Sequence, residues 1–119
     1  MAYEVFKTVR NGVFVTPGHV RIAKLGRARF CLEDIRHVGI VTHATVLIDR
    51  KARRIGLRAP REGESPMLVR QSAAELKTAD IWISGALQAI GVSIARGGKT
   101  LPIEVGDGVL SIEFPEQVP

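Results

Sequence analysis

Short stretches in which apolar and polar residues alternate follow one another along most of this chain, with helix-like spacing in only two places. Val13-Phe14-Val15 reads as extended. After the turn pair Pro17-Gly18, His19-Val20-Arg21-Ile22 alternates as a half-buried strand does. Gly26 ends that strand, and Arg27-Ala28-Arg29-Phe30-Cys31 forms a second. A short helix follows. Glu33 and Asp34 favour its positive end, Ile35 and Val38 share one face, and Gly39 stands where a C-terminal cap belongs. Thr45-Val46-Leu47-Ile48 and Arg54-Ile55-Gly56-Leu57-Arg58 then read as a hairpin around a polar turn.

Pro60 to Pro66 is polar, proline-bounded and aperiodic, a linker. Beyond it the grammar returns. Met67 to Arg70 and Asp80 to Ile83 read as strands, and Ser72 to Lys77 fits neither pattern well, with one helical turn as a possible reading. Ser84 is placed to N-cap a helix over 85–90 that Gly91 closes. Residues 100–105 and 109–114 alternate around Gly106-Asp107-Gly108 as a second hairpin. Pro102 cannot donate to a ladder, so its strand is expected at an edge or a bulge. Ile35-x-x-Val38-Gly39-Ile40 aligns with Leu87-x-x-Ile90-Gly91-Val92 at an offset of 52 positions, and Phe30 and Trp82 fall at equivalent places, as core or interface aromatics.

The expected fold is therefore α+β, mostly β. One domain over residues 1–119 holds two β-α-β-β repeats, at about 20–60 and 67–114, joined by the linker 60–66. A single unit has too few apolar faces to close a core. Two interleaved hairpins bury Val46, Ile48, Ile55 and Leu57 against Leu101, Ile103, Leu110 and Ile112, at roughly 25 cal/mol per Å2.

Composition narrows the function classes. Aromatic residues are only 5%, so the core is aliphatic and no base-stacking platform is expected. The chain has no apolar run of membrane-spanning length, no signal-peptide layout and a single cysteine, Cys31, a pattern expected of a cytoplasmic protein without a membrane partner. His19, His37 and His43 lack metal-ligand spacing, so no metal and no cofactor is expected. Cys31 lies among apolar neighbours and reads as an inert thiol. Gly97-Gly98-Lys99-Thr100 resembles the end of a phosphate loop, but Ser93 stands where the first glycine belongs and a strand follows instead of a helix. With no nucleophile–base pair visible, no catalytic residue, no enzyme activity and no small-molecule ligand is expected.

Charge is asymmetric. Residues 1–60 carry 12 Lys/Arg against four acids, +8, whereas residues 61–119 carry five against eight, −3. A basic half points to a polyanion partner; a solvated surface and head-to-tail attraction between copies are the competing readings.

Residues Arg27 to Phe30, Ile35-Arg36-His37-Val38-Gly39-Ile40, Ala44 to Asp49 and Arg54 to Pro60 resemble the AbrB/SpoVT type of swapped-hairpin domain: a Gly-Arg-led strand, a short Glu-Ile-Arg helix ending in Leu-Gly-Ile, and a hairpin with an Arg-Pro-like tail. Residues 81–114 look like a divergent second copy, an arrangement similar to the MraZ branch. The resemblance implies a swapped-hairpin, double-split small β-barrel and a transcription regulator that binds double-stranded DNA. It assigns DNA contacts to Arg27, Arg29 and Arg36. Arg50, Lys51, Arg53 and Arg54, crowded at one turn, suit phosphate contact by charge. A homo-oligomer is expected. The alternative is a non-enzymatic protein-interaction or self-assembly module of the same fold.

Overall fold

A computed structural model of the chain describes residues 2–3, 15–72 and 77–115. Val13 and Phe14, and residues 73–76 of the ambiguous segment, lie outside these. The described elements run β1 (His19–Ile22), β2 (Arg27–Cys31), α1 (Leu32–His37), β3 (His43–Asp49), β4 (Arg54–Arg58), β5 (Met67–Leu68), β6 (Arg70–Gln71), β7 (Thr78–Trp82), α2 (Ser84–Ala89), β8 (Lys99–Gly106) and β9 (Val109–Glu113).

All strand pairs are antiparallel, and the sheet order is β5-β3-β4-β9-β8-β1-β2-β7-β6. Its two margins, β5 and β6, are separated by Val69 alone. One pentapeptide thus pairs with β3 on one side and β7 on the other, and the sheet nearly closes into a barrel.

Alternation decides what faces inward. Val20 lies opposite both Phe30 and Leu101, Phe30 opposite Ala79, Ala28 opposite Ile81, Ile55 opposite Ile112, and Leu57 opposite Leu110. All are buried, and with Ile35 of α1, Val38 just after it and Leu87 of α2 they form one cluster. Each contributes on the order of 1–3 kcal/mol by leaving water. Ladders β1–β8, β2–β7, β3–β5 and β4–β9 all join the segment before the linker to the segment after it.

Both helices end alike. The Ile40 amide donates to Ile35 O (3.0 Å) and Gly39 to Arg36 O (2.9 Å); Val92 donates to Leu87 O (2.9 Å) and Gly91 to Gln88 O (3.1 Å). Gly39 and Gly91 take φ +81° and +72°, the left-handed geometry of a Schellman cap. No helix of the described residues is long and apolar enough to cross a membrane.

Several expectations need correction. Ile48 is 41% exposed, because it lies near the hairpin end, beyond the closed part of the barrel. Met67 to Arg70 is not one strand: the chain changes ladder at Val69, whose amide donates to Thr42 O (2.8 Å). Ser84 does not cap α2. Ile83 holds the N-cap place because its amide continues the sheet by donating to Gly26 O (2.8 Å), and no side chain caps the helix. Phe30 and Trp82 are not equivalent. Phe30 faces inward opposite Ala79, whereas Trp82 faces outward opposite Arg27; a one-residue shift of register reverses the face. The Pro102 strand is no edge strand, since β8 pairs with β1 over 99–102 and with β9 over 103–106. Proline sits where one ladder hands over to the other. Ile103 N points to Gly18 O on the β1 side (2.9 Å), so the amide that Pro102 lacks would have pointed beyond the end of the β9 ladder.

The linker is anchored rather than loose. Glu64 Oε1 accepts from Arg58 Nη1 (2.8 Å), Arg61 N (2.7 Å) and Thr45 Oγ1 (2.9 Å), and Oε2 accepts from Arg58 Nη2 (2.5 Å). The Arg58 hydrogen bonds foremost, then the Arg61 amide, hold its carboxyl down at about 2, against an ordinary 4.5. A depressed carboxylate contributes stability that is fully present above the ordinary value and lost on acidification through the folded one. Thermal midpoints are therefore expected to fall between about pH 4.5 and about pH 2, and to fall less in Glu64→Gln. Identical pH profiles for the two proteins would refute the anchor.

Candidate nucleic-acid interface

The polar positions of β1, β2 and β7 occupy the outer face of the sheet. Arg21 lies opposite Arg29 and Thr100, Arg29 opposite Asp80, Arg27 opposite Trp82, and Asp80 also opposite Arg70. This register collects Arg21, Lys24, Arg27 and Arg29 around one cleft of about 220 Å3, lined also by Gly97 and Gly98.

Two of these cations are held by the protein. Arg29 forks onto Asp80, with Nε to Oδ1 at 2.7 Å and Nη2 to Oδ2 at 2.9 Å; both side chains are largely buried. The hydrogen bond to Asp80 raises the Arg29 pKa above its ordinary value, so the charge is permanent. Arg21 donates from Nη1 to Thr100 Oγ1 (3.1 Å) and from Nη2 to Gly97 O. Lys24 and Arg27 have no carboxylate partner among the described residues.

The other residues expected to bind DNA do not join the cleft. Arg36 is exposed on α1, which leaves the opposite end of β2 from Arg27. Arg50 reaches from the β3–β4 turn to the C-terminal end of α2, donating to Ala89 O (2.8 Å), a favourable place for a cation. Lys51 beside it is exposed. Arg53 is half-buried with its Nε enclosed and unpaired, and Arg54 makes a loose exposed pair with Glu113 (3.5 Å). Arg27 and Arg50 nonetheless share a neighbour. The residue before Arg27 touches the first residue of α2, and Arg50 touches its last. Six residues at 1.5 Å rise put the two ends about 9 Å apart, across a helix that carries no charged side chain.

Sequence reasoning missed Arg21, Lys24 and Asp80. The signal was present: Arg21 and Arg29 are both outward positions of alternating strands joined by a short turn, and a lone Asp in an apolar strand needs a partner.

Among the described residues no three His, Cys, Asp or Glu are gathered in a group that suits a metal ion. Cys31 is buried, its Sγ donates to Val15 O (3.0 Å), and burial pushes its pKa up, so the thiol stays protonated. It is a poor nucleophile.

Fold and cleft together define a mostly-β, barrel-like protein with a cationic outer face. Comparison of the chain with protein-family models, with curated proteins and with solved structures gave no match.

Proposed function

We propose that this chain is a non-enzymatic, cytoplasmic DNA-binding protein of the regulator type, built from two β-α-β-β repeats that close one swapped-hairpin, double-split barrel. The paired Schellman caps and the ladders between the two segments support the duplication. The observation that carries the DNA reading is the convergence of Arg21, Lys24, Arg27 and Arg29 on one outer face, with Arg50 at the far end of α2. A cationic face of this kind attracts duplex phosphates without reading bases. Arg36, Arg53 and Arg54 stay outside it.

Fluorescence anisotropy with a duplex tests this. The logarithm of affinity is expected to fall linearly with log salt, and Lys24→Ala with Arg27→Ala to flatten the slope by about 1.8, at about 0.9 per phosphate contact. No duplex binding at low salt would sink the reading.

A second reading, a protein-interaction or self-assembly module, is favoured by a different face. Val41, Met67 and Leu68 are exposed beside a groove lined by Val41, His43, Pro60 and Pro66. Adjacent exposed apolar side chains mark contact surfaces more often than isolated ones do. Light scattering that finds a homo-oligomer in the natural chain and a monomer in Leu68→Glu is the expected result of that reading; a monomer in both retires it.

A further inference from the structure

The cleft is more built than a charged face requires. Arg21 and Arg29 are fixed in advance by acceptors of the protein itself: Gly97 O and Thr100 Oγ1 for one, Asp80 for the other. Guanidinium groups oriented before a ligand arrives lose less freedom on binding it. The Gly97-Gly98 turn lies close against β1: a Cβ on Gly98 would stand 2.6 Å from Ile22 O and 3.4 Å from the Arg21 guanidinium, so no side chain fits there. The Gly97-Gly98 pair has neither the first glycine nor the following helix of a phosphate loop, but it lines the same cleft as the four cations without adding a side chain.

Size sets the ligand. About 220 Å3 is below the roughly 300–1,000 Å3 of pockets that enclose drug-sized molecules. It exceeds several times the roughly 30 Å3 share of one water. One or two phosphoryl groups fit that space. The chemistry agrees, since the Arg27 guanidinium, with no carboxylate partner among the described residues, matches phosphate oxygens two at a time and Lys24 adds a mobile point charge, while Arg21 and the Asp80-bound Arg29 line the cleft with fixed charge.

We infer that this cleft is a binding site for a compact phosphate anion, one or two phosphoryl groups held by Arg21, Lys24, Arg27 and Arg29. The group is either free, as pyrophosphate, or part of a larger molecule such as a duplex backbone. This goes beyond the DNA reading, which needs only a charged face and no concave site.

Calorimetric titration of the whole chain with pyrophosphate at low salt is the test, run beside the duplex titration. In Lys24→Ala with Arg27→Ala, pyrophosphate affinity is expected to fall at least about tenfold. In Arg36→Ala with Arg61→Ala, which removes the same charge away from the cleft, it is expected to hold. No pyrophosphate binding by the natural chain, or equal loss in both variants, overturns the inference. Pyrophosphate binding without duplex binding sustains the site and retires the DNA reading. Duplex binding without pyrophosphate binding does the reverse.

Discussion

Replacing Gly26 with alanine is expected to cost about 2–5 kcal/mol of stability. The residue sits at φ +91°, and a Cβ built there meets Cα, Cβ and N of Ser84 at 2.7–2.8 Å. Two costs add. An L-residue held in that region loses on the order of 1–2 kcal/mol, and forcing a methyl group into occupied space loses about 1–3 more. The obstructing atoms belong mostly to backbone at the head of α2, so relief requires β2 and α2 to separate. The change would also break the Ile83–Gly26 hydrogen bond that leads β7 into the helix. Gly63→Ala is the control, because Gly63 has φ +83° but nothing within 4 Å of a new Cβ. Only the backbone cost, about 1 kcal/mol, is expected there. Denaturant midpoints at unchanged m-value measure both. Equal losses in the two variants would show that α2 does not lean on β2.

Asp80→Ala is expected to lower stability by about 3–4 kcal/mol. The carboxylate and the Arg29 guanidinium are 12% and 16% exposed and joined by two short hydrogen bonds. Removing the carboxylate takes two short hydrogen bonds and the counter-charge from a largely buried guanidinium, a larger loss than the pair's own net worth. Arg29→Ala on the same background should then cost little more, so the double-mutant cycle is strongly non-additive. A loss below about 1 kcal/mol would class the contact with solvent-screened surface pairs.

Much of this architecture is readable from residues. Hairpins announce themselves through alternation around Asp49 to Arg53 and around Gly106-Asp107-Gly108, and both are present at those places. Gly39 and Gly91 mark both helix ends, because a Schellman cap demands a residue free to take positive φ. Residues 67–71 are not readable in the same way. Their division between two ladders follows from barrel closure, which no local pattern encodes. Trp82 was misplaced because the gapless offset that fits the helices slips by one residue in the strands before them. Of the seven basic residues singled out from sequence, only Arg27 and Arg29 meet in the cleft. Clustering along the chain at Arg50 to Arg54 reports a turn, whereas clustering in space comes from register. The pairing of Arg21 with Arg29 shows the difference.

The way the sheet ends is itself a safeguard. Open β-margins invite other chains to add on, and propagation of that kind leads to fibres. Here the five residues Met67 to Gln71 cover His43 and Ala44 of β3 on one side and Ala79 and Asp80 of β7 on the other. Polymerisation at either covered end must first strip off the same short clasp, so one local event guards both ends.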